Sequence, residues 1–394
     1  MAQIRGSVVA EFDVNQDESV YYDAGYWNDF EATQQMFSRR IAGGTPGPWF
    51  HDYFERRGRP FARGLFLNCG NGWVEREMVG TGVVGEAVGI DYSEALLEEA
   101  RREARKGDLA ATYHQMNVNT AEFPPGPFDL VVNYAAAHHI AMIDRVFREI
   151  CRLLPEDGCF LSFDYVGPHR NQYWSVAWER AWAINRSLPP QLQQSMEYPN
   201  VPIMVQVDPT EAVHSELIVE TLHRYFHVVR FVPLGGAIAY PILTHNDRLF
   251  ACEDRAEQAA VVDTVLRADE EFLAEHPDST LFAYVVATPN KDVLERPALL
   301  AEWEQEEHDR EARARANGGA YYPHTALQDA YDRLVTEGVV SAQLRAQVAD
   351  LQGQLDALRG DPAVSLLTRV RESEAFGVVR RNPFLRQVYE RLTH

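Results

Sequence analysis

Cysteine is scarce: four in 394 residues, Cys69, Cys151, Cys159 and Cys252, with no Cys-x-x-Cys pair among them. Neither a disulfide framework nor a zinc knuckle can be read from such spacing, and no other metal-ligand spacing stands out. No uninterrupted apolar run reaches the roughly 18 residues that span a bilayer. The first residues, Met1 to Arg5, lack the apolar core of a signal peptide. The expectation is a cytoplasmic protein. Basic charge is also short: 37 Lys and Arg stand against 58 Asp and Glu, a net charge of −21. Nucleic acid demands a basic face, so it is excluded as a general partner, and the excess of acid reads as a solvated surface. Apolar residues are plentiful at 46%, enough for a sizeable core.

The most informative stretch runs from Leu65 to Trp73, an apolar strand that enters a tight turn holding Gly70 and Gly72. About twenty residues on, a second apolar strand, Val88-Gly89-Ile90, ends on Asp91. In a doubly wound sheet this places a nucleoside across the carboxyl ends of the first two strands, with glycines where backbone must approach and an acid for the ribose hydroxyls. Trp73, Val74 and Glu75 follow Gly72, so the third glycine of the dinucleotide fingerprint is missing. A phosphate-cradling Lys-Ser/Thr is missing as well. The ligand expected is a nucleoside without a pyrophosphate.

Strands and helices alternate onward. Predicted strands are 64–68, 87–91, 111–116, 128–135 and 159–165, with helices opening at 72, 93 and 140. Apolar, turn-bounded runs of this kind suit a parallel sheet covered on both faces. Ser93 has the chemistry of a helix N-cap. Residues 217–232 and 281–288 supply a last helix and two strands, and 257–275 an amphipathic helix. Residues 168–207 form a Trp-rich insert (Trp174, Trp178, Trp182) at the ligand edge, read as a substrate lid. The domain plan is a polar amino terminus over 1–20, a catalytic domain over 21–290, a charged helical linker over 291–320 and a helical tail over 321–394.

The stretch Asp292 to Asn317 carries eight acids and four arginines and reads as a solvated helix or linker. Leu344, Val348, Leu351, Leu355 and Leu358 then form a heptad seam of about two heptads, out of phase with Leu327, Tyr331 and Leu334. A coiled-coil homodimer and a helix folded back on the domain are both open. The last segment places Arg369, Arg371, Arg380, Arg381, Arg386 and Arg391 among apolar residues. Peripheral contact with an anionic inner membrane face, docking on the protein's own acidic surface and docking on a partner are all open for it.

Five segments, Leu67–Gly72, Gly89–Ser93, Phe128–Val132, Ala137–Ile140 and Leu153–Gly158, have the order and spacing of class I S-adenosylmethionine-dependent methyltransferases, and the chain resembles that family over roughly residues 20–290. The segments Asp164–Pro168 and Asp208–Val213 resemble a bacterial subgroup often associated with surface-glycan biosynthesis. The resemblance implies an α/β, Rossmann-like methyltransferase fold with a mostly parallel seven-stranded sheet, here with an α-helical C-terminal extension. It implies S-adenosylmethionine as cofactor, with Asn68, Gly70 and Gly72 at the loop and Asp91 at the ribose. Tyr92, Asn117 and Val118 belong to the adenine side, Asn117 standing where an acid usually takes the amino group. Asn133 lies toward the methionine end, and Tyr26 belongs to aromatic lid helices that include Tyr21, Tyr22 and Trp27.

Two positions depart from the family pattern: Phe66 stands where an acid usually does, and Asn68 where the first glycine does. Asn68 can take a left-handed backbone, which keeps the turn available. His138 and His139 are the candidate proton acceptors, since imidazole titrates near neutrality. Tyr134, Asp164, Tyr165 and Arg170 are candidate substrate contacts, Arg170 as a bidentate anion ligand or as a partner of an acid in the lid. The expected acceptor is a hydroxyl on a sugar, nucleotide sugar or glycan. The alternatives are an amine or carboxylate on a small metabolite, and a non-catalytic cofactor-binding scaffold, for which Phe66 is the motive.

Overall fold

The computed structural model describes residues 25–44, 49–50, 58–199, 201, 204, 208–316 and 346. Tyr21, Tyr22, the polar amino terminus, the heptad seam and the basic carboxyl-terminal segment lie outside these residues. No helix among the described residues is long and apolar enough to cross a membrane.

Helix α1 (Glu31–Ala42) precedes a regular alternation: β1 (Phe61–Leu67), α2 (Trp73–Gly80), β2 (Val84–Asp91), α3 (Glu94–Lys106), β3 (Ala111–Gln115), β4 (Leu130–Tyr134), α4 (Ile143–Leu153) and β5 (Cys159–Tyr165). After the insert, whose helix is α5 (Ser175–Ser187), come α6 (Ile218–Tyr225), β6 (Phe226–Gly235), α7 (Arg255–Glu275), β7 (Phe282–Pro289) and α8 (Pro297–Ala316). The sheet has seven strands in the order β3-β2-β1-β4-β5-β7-β6. The first five are parallel; β7 runs antiparallel to both β5 and β6. Strand order reverses between β1 and β4, and the carboxyl ends there are where a doubly wound sheet opens a crevice.

The core follows from the apolar runs. Leu65, Val88, Val131 and Phe160 on adjacent strands pack with Ile143, Val146, Phe147 and Ile150, which α4 turns to one side. Each such side chain contributes about 1.5–3 kcal/mol by leaving water, and together they hold the strand ends in register. Ser93 caps α3, accepting from the Leu96 amide at 3.3 Å, as its residue type suggested.

The stretch read as a solvated helix or linker is helical at Pro297–Ala316, and it is not wholly solvated. Leu300, Glu307 and Ala314 are buried. Trp303 packs on Tyr225 with ring centroids 5.4 Å apart. The Glu307 carboxylate accepts from the Asp144 amide at 2.8 Å and the Arg145 amide at 3.2 Å, capping the start of α4. Charge composition hid this because one buried acid looks like its exposed neighbours in sequence, while its partners lie more than 150 residues away.

Candidate active site

A cavity of about 1030 Å³ opens over the carboxyl ends of β1, β2, β4 and β5. One half is built by the loop after β1, the end of β2 and the turn after β3. The Asp91 carboxylate accepts from the Gly70 amide at 2.7 Å and the Ser93 amide at 2.8 Å. That ties the two βα turns together. A carboxylate has about four acceptor directions, so Asp91 retains capacity toward the cavity it lines. Burial, partly offset by those amide bonds, raises its pKa above the ordinary aspartate value. Asn68 takes the left-handed backbone expected of it, φ 43°. Its side-chain amide donates to the Ala136 carbonyl at 3.3 Å.

Gly72 has a different task from the one expected. It does not line the cavity; at φ 72° it starts α2, and a Cβ there would come within 2.6 Å of the Tyr113 hydroxyl. Close packing on β3, rather than approach to a ligand, demands glycine. Asn117 and Val118 line the cavity as expected. The Asn117 side-chain oxygen accepts from both the backbone and side-chain amides of Asn119 at 3.0 Å. Asn119 in turn accepts from the Ala141 and Met142 amides at 2.9 Å. Tyr26 and Tyr92 line the same cavity, and so does Leu96, which the sequence reading missed. Phe66 is buried and contributes an apolar wall where an acid was the family pattern.

The other half is organised by Asp164, which is fully buried at the end of β5. Its Oδ2 accepts from Asn133 Nδ2 at 2.7 Å and from the Ala136 and Ala137 amides at 3.1 and 2.7 Å. Its Oδ1 accepts from the Tyr165 amide at 2.7 Å and lies 2.5 Å from His138 Nδ1. The amides belong to a sharp turn after β4 in which Ala135 has φ 48°, a conformation that costs an L-residue roughly 1–2 kcal/mol. Asp164 therefore holds both the turn and the imidazole. Burial would lower the pKa of His138, but the charge and hydrogen bond of Asp164, with Glu211 and Asp208 nearby, raise it to about 9. Burial and the neighbouring His138 lower His139. Burial pushes Asp164 up, yet His138 and the donors around it leave it below the ordinary carboxylate range.

Three expected contacts are corrected by this geometry. Asn133 is buried and does not line the cavity; its Nδ2 donates to Ser162 Oγ and Asp164 Oδ2. Asp164 is likewise absent from the cavity lining and holds Nδ1 of His138. Arg170 is buried, and its guanidinium donates to the carbonyls of Asp208, Pro209 and Glu211 at 3.3, 2.6 and 2.8 Å. It clamps that loop and has no face toward a ligand anion. Tyr134 and Tyr165 do line the cavity. The Tyr134 ring stacks on Trp49 and Phe163, and the Tyr165 hydroxyl donates to the Pro168 carbonyl at 2.9 Å.

The loop that Arg170 clamps adds residues missing from the predicted site. Asp208, Thr210 and Glu211 all line the cavity opposite the two histidines. His139 Nδ1 is 3.1 Å from the Thr210 hydroxyl. Glu211 Oε2 faces Nε2 of His138 at 3.8 Å and of His139 at 3.7 Å. Trp178, Gln194 and Met196 from the insert close the same side.

Residues 65–162 match the family model described as a methyltransferase domain. Over that stretch the chain is similar to S-adenosylmethionine-dependent methyltransferases. The domain is similar, at 33% identity over 120 residues, to a malonyl-[acyl-carrier protein] O-methyltransferase of Legionella pneumophila, covering 30% of this chain and 40% of the relative. It is 26% identical over 190 residues to EEF1A lysine methyltransferase 4 of Bos taurus, covering 42% of this chain and 70% of the relative. Among solved structures, the YcgJ protein of Bacillus subtilis aligns with a TM-score of 0.33 at 17% identity, covering 60% of this chain and 96% of that one. The chain spans about two fifths of the length of the first curated relatives it matches.

The site's own geometry fits this cofactor. Asp91, a partly exposed carboxylate with acceptor capacity, would take the ribose hydroxyls, and Leu96, Tyr92 and Val118 would offer apolar surface to a purine. No basic cluster for a pyrophosphate is among the residues lining the cavity.

Proposed function

We propose that the protein transfers the methyl group of S-adenosylmethionine to a hydroxyl oxygen of a small polyhydroxylated acceptor, a sugar, nucleotide sugar or glycan terminus. When bound, the cofactor supplies an electrophilic methyl group. The chain must orient the acceptor, exclude water and manage the hydroxyl proton. The observation that carries the reading is the buried Asp164–His138 pair: Asp164 holds Nδ1, so Nε2 is directed to the acceptor half of the cavity and is placed to take that proton. His139, Glu211 and Asp208 supply donors and acceptors for further hydroxyls. Tyr173, Trp178 and Tyr240, which line the same half, offer apolar faces for ring C–H groups.

The test is release of S-adenosylhomocysteine across a panel of sugars, nucleotide sugars and isolated glycans, with product mass confirming one added methyl. Turnover on a hydroxylated acceptor that drops on the order of 10²–10⁴-fold in His138→Gln supports the reading. A second reading is favoured by the carboxylates of Asp208, Glu211 and Glu197 in the acceptor half, which suit a cationic amine, and by the similarity to a lysine methyltransferase. Turnover on amines with none on the hydroxyl panel would replace the first reading by the second.

A further inference from the structure

We infer that His138, His139 and Glu211 form a binding site for one divalent cation of the zinc or first-row transition type in the acceptor half of the cavity. One ligand atom from each lies within 4.8 Å of the other two. The Glu211 Oε2 to imidazole Nε2 separations of 3.8 and 3.7 Å are too long for hydrogen bonds. They are close to the spacing of neighbouring ligands around a metal. With metal–ligand bonds of about 2.0–2.2 Å, tetrahedral neighbours stand roughly 3.4 Å apart, so these two edges need to shorten by only a few tenths of an ångström, while the third, between the imidazoles, lies within 4.8 Å.

The supporting contacts make the same point more strongly. Histidines that bind metals generally give their other ring nitrogen to a carboxylate, hydroxyl or carbonyl that fixes tautomer and ring orientation. Here His138 Nδ1 meets Asp164 at 2.5 Å and His139 Nδ1 meets the Thr210 hydroxyl at 3.1 Å. The remaining Glu211 oxygen, Oε1, accepts from Asn171 Nδ2 at 3.2 Å. Each of the three ligands is thus oriented by a neighbour that leaves the converging atom turned inward. Arg170 fixes the loop that carries Glu211. Two imidazoles with one carboxylate select zinc and its first-row neighbours over magnesium or calcium, which prefer all-oxygen shells. Because all three ligands line the cavity, the shell is open on that side.

What the ion does rests on the hydroxyl-acceptor reading: an acceptor oxygen would complete its shell. The binding itself does not depend on that reading. Ligation uses the same Nε2 lone pair of His138 that would otherwise take the proton, so the metal titration also decides between the two roles of that residue.

The experiment is titration of the full chain with Co²⁺ or Zn²⁺ alone, without cofactor or acceptor, followed by visible absorption for cobalt and calorimetry for zinc. The expected result is one ion per chain, with cobalt d–d bands and no thiolate charge-transfer band, which separates this site from the cysteines. Glu211→Gln and His139→Gln should each weaken binding on the order of tenfold or more, with unchanged circular dichroism and a cooperative urea transition as proof of folding. Absence of saturable one-to-one binding in the wild type overturns the inference, as does unchanged affinity in both variants. Metal binding by a protein that methylates no hydroxyl would sustain the ion site and remove only the proposed acceptor.

Discussion

Asp164 Oδ1 and His138 Nδ1 stand 2.5 Å apart across the carboxyl ends of β5 and β4, buried from water. Their separation in sequence is 26 residues, and the parallel pairing of the two strands brings them together. This contact raises the basicity of His138 and holds Asp164 below the ordinary carboxylate range.

The first prediction concerns the pH dependence of turnover. His138 is raised to about 9, so its Nε2 is largely protonated at neutral pH. With a chelator present, kcat should climb as pH rises toward about 9 and then level off. Asp164→Asn removes the charge that raises the imidazole, so the profile should move to lower pH as kcat falls. A wild-type profile flat between pH 6 and 9 would show that His138 does not handle the proton.

The same pair makes a signed prediction about stability. The folded pKa of His138 lies above the unfolded value of roughly 6.5. Its contribution is therefore complete below that value and is lost as pH rises through about 9. Asp164 is shifted down, so its contribution is present above roughly 3.9 and lost only as pH falls below it. Urea unfolding of wild type against His138→Gln should show their difference shrinking from pH 6.5 to 9. A constant difference would contradict the shift.

Asp91→Ala should abolish measurable cofactor affinity. A carboxylate hydrogen bond contributes about 1.5–3 kcal/mol, and two to vicinal hydroxyls correspond to a loss of about a hundredfold or more. Calorimetry with S-adenosylmethionine and S-adenosylhomocysteine reads this directly. Wild-type affinity in the variant would move the ribose elsewhere in the cavity.

Gly72→Ala should destabilise the fold by about 1–3 kcal/mol, because the added carbon meets the Tyr113 ring and the backbone is left-handed. Its midpoint in urea should fall, and cofactor affinity should fall less than in Asp91→Ala. A variant as stable as wild type would show that Tyr113 yields without cost.

Much of this architecture was legible in the sequence, for identifiable reasons. The loop from Leu65 to Trp73 and the acid at Asp91 are local signals whose spacing follows from one strand-turn-helix unit. β1 and β2 begin three residues earlier than read, at Phe61 and Val84, because the sheet extends past the apolar run. What failed is direction. Asn133, Asp164 and Arg170 stand at strand ends or just beyond, but sequence does not say whether a polar side chain there turns into the cavity or away behind its wall. Glu211 was missed because its partners come from a turn more than seventy residues earlier, and only the packed chain brings the two loops face to face. Its signal, the Asp-Pro-Thr-Glu segment, was present but carried no chemistry until the histidines stood opposite.

The double duty of Asp164 constrains how this domain could change. One carboxylate secures the strained backbone turn after β4 and sets the basicity of the imidazole that follows. A substitution meant to retune the reactive group would also unmake the bend that presents it. Adaptation to a new acceptor is thereby channelled into the loop of Asp208 and Glu211 and into the insert, which can vary while the inner wall stays as it is.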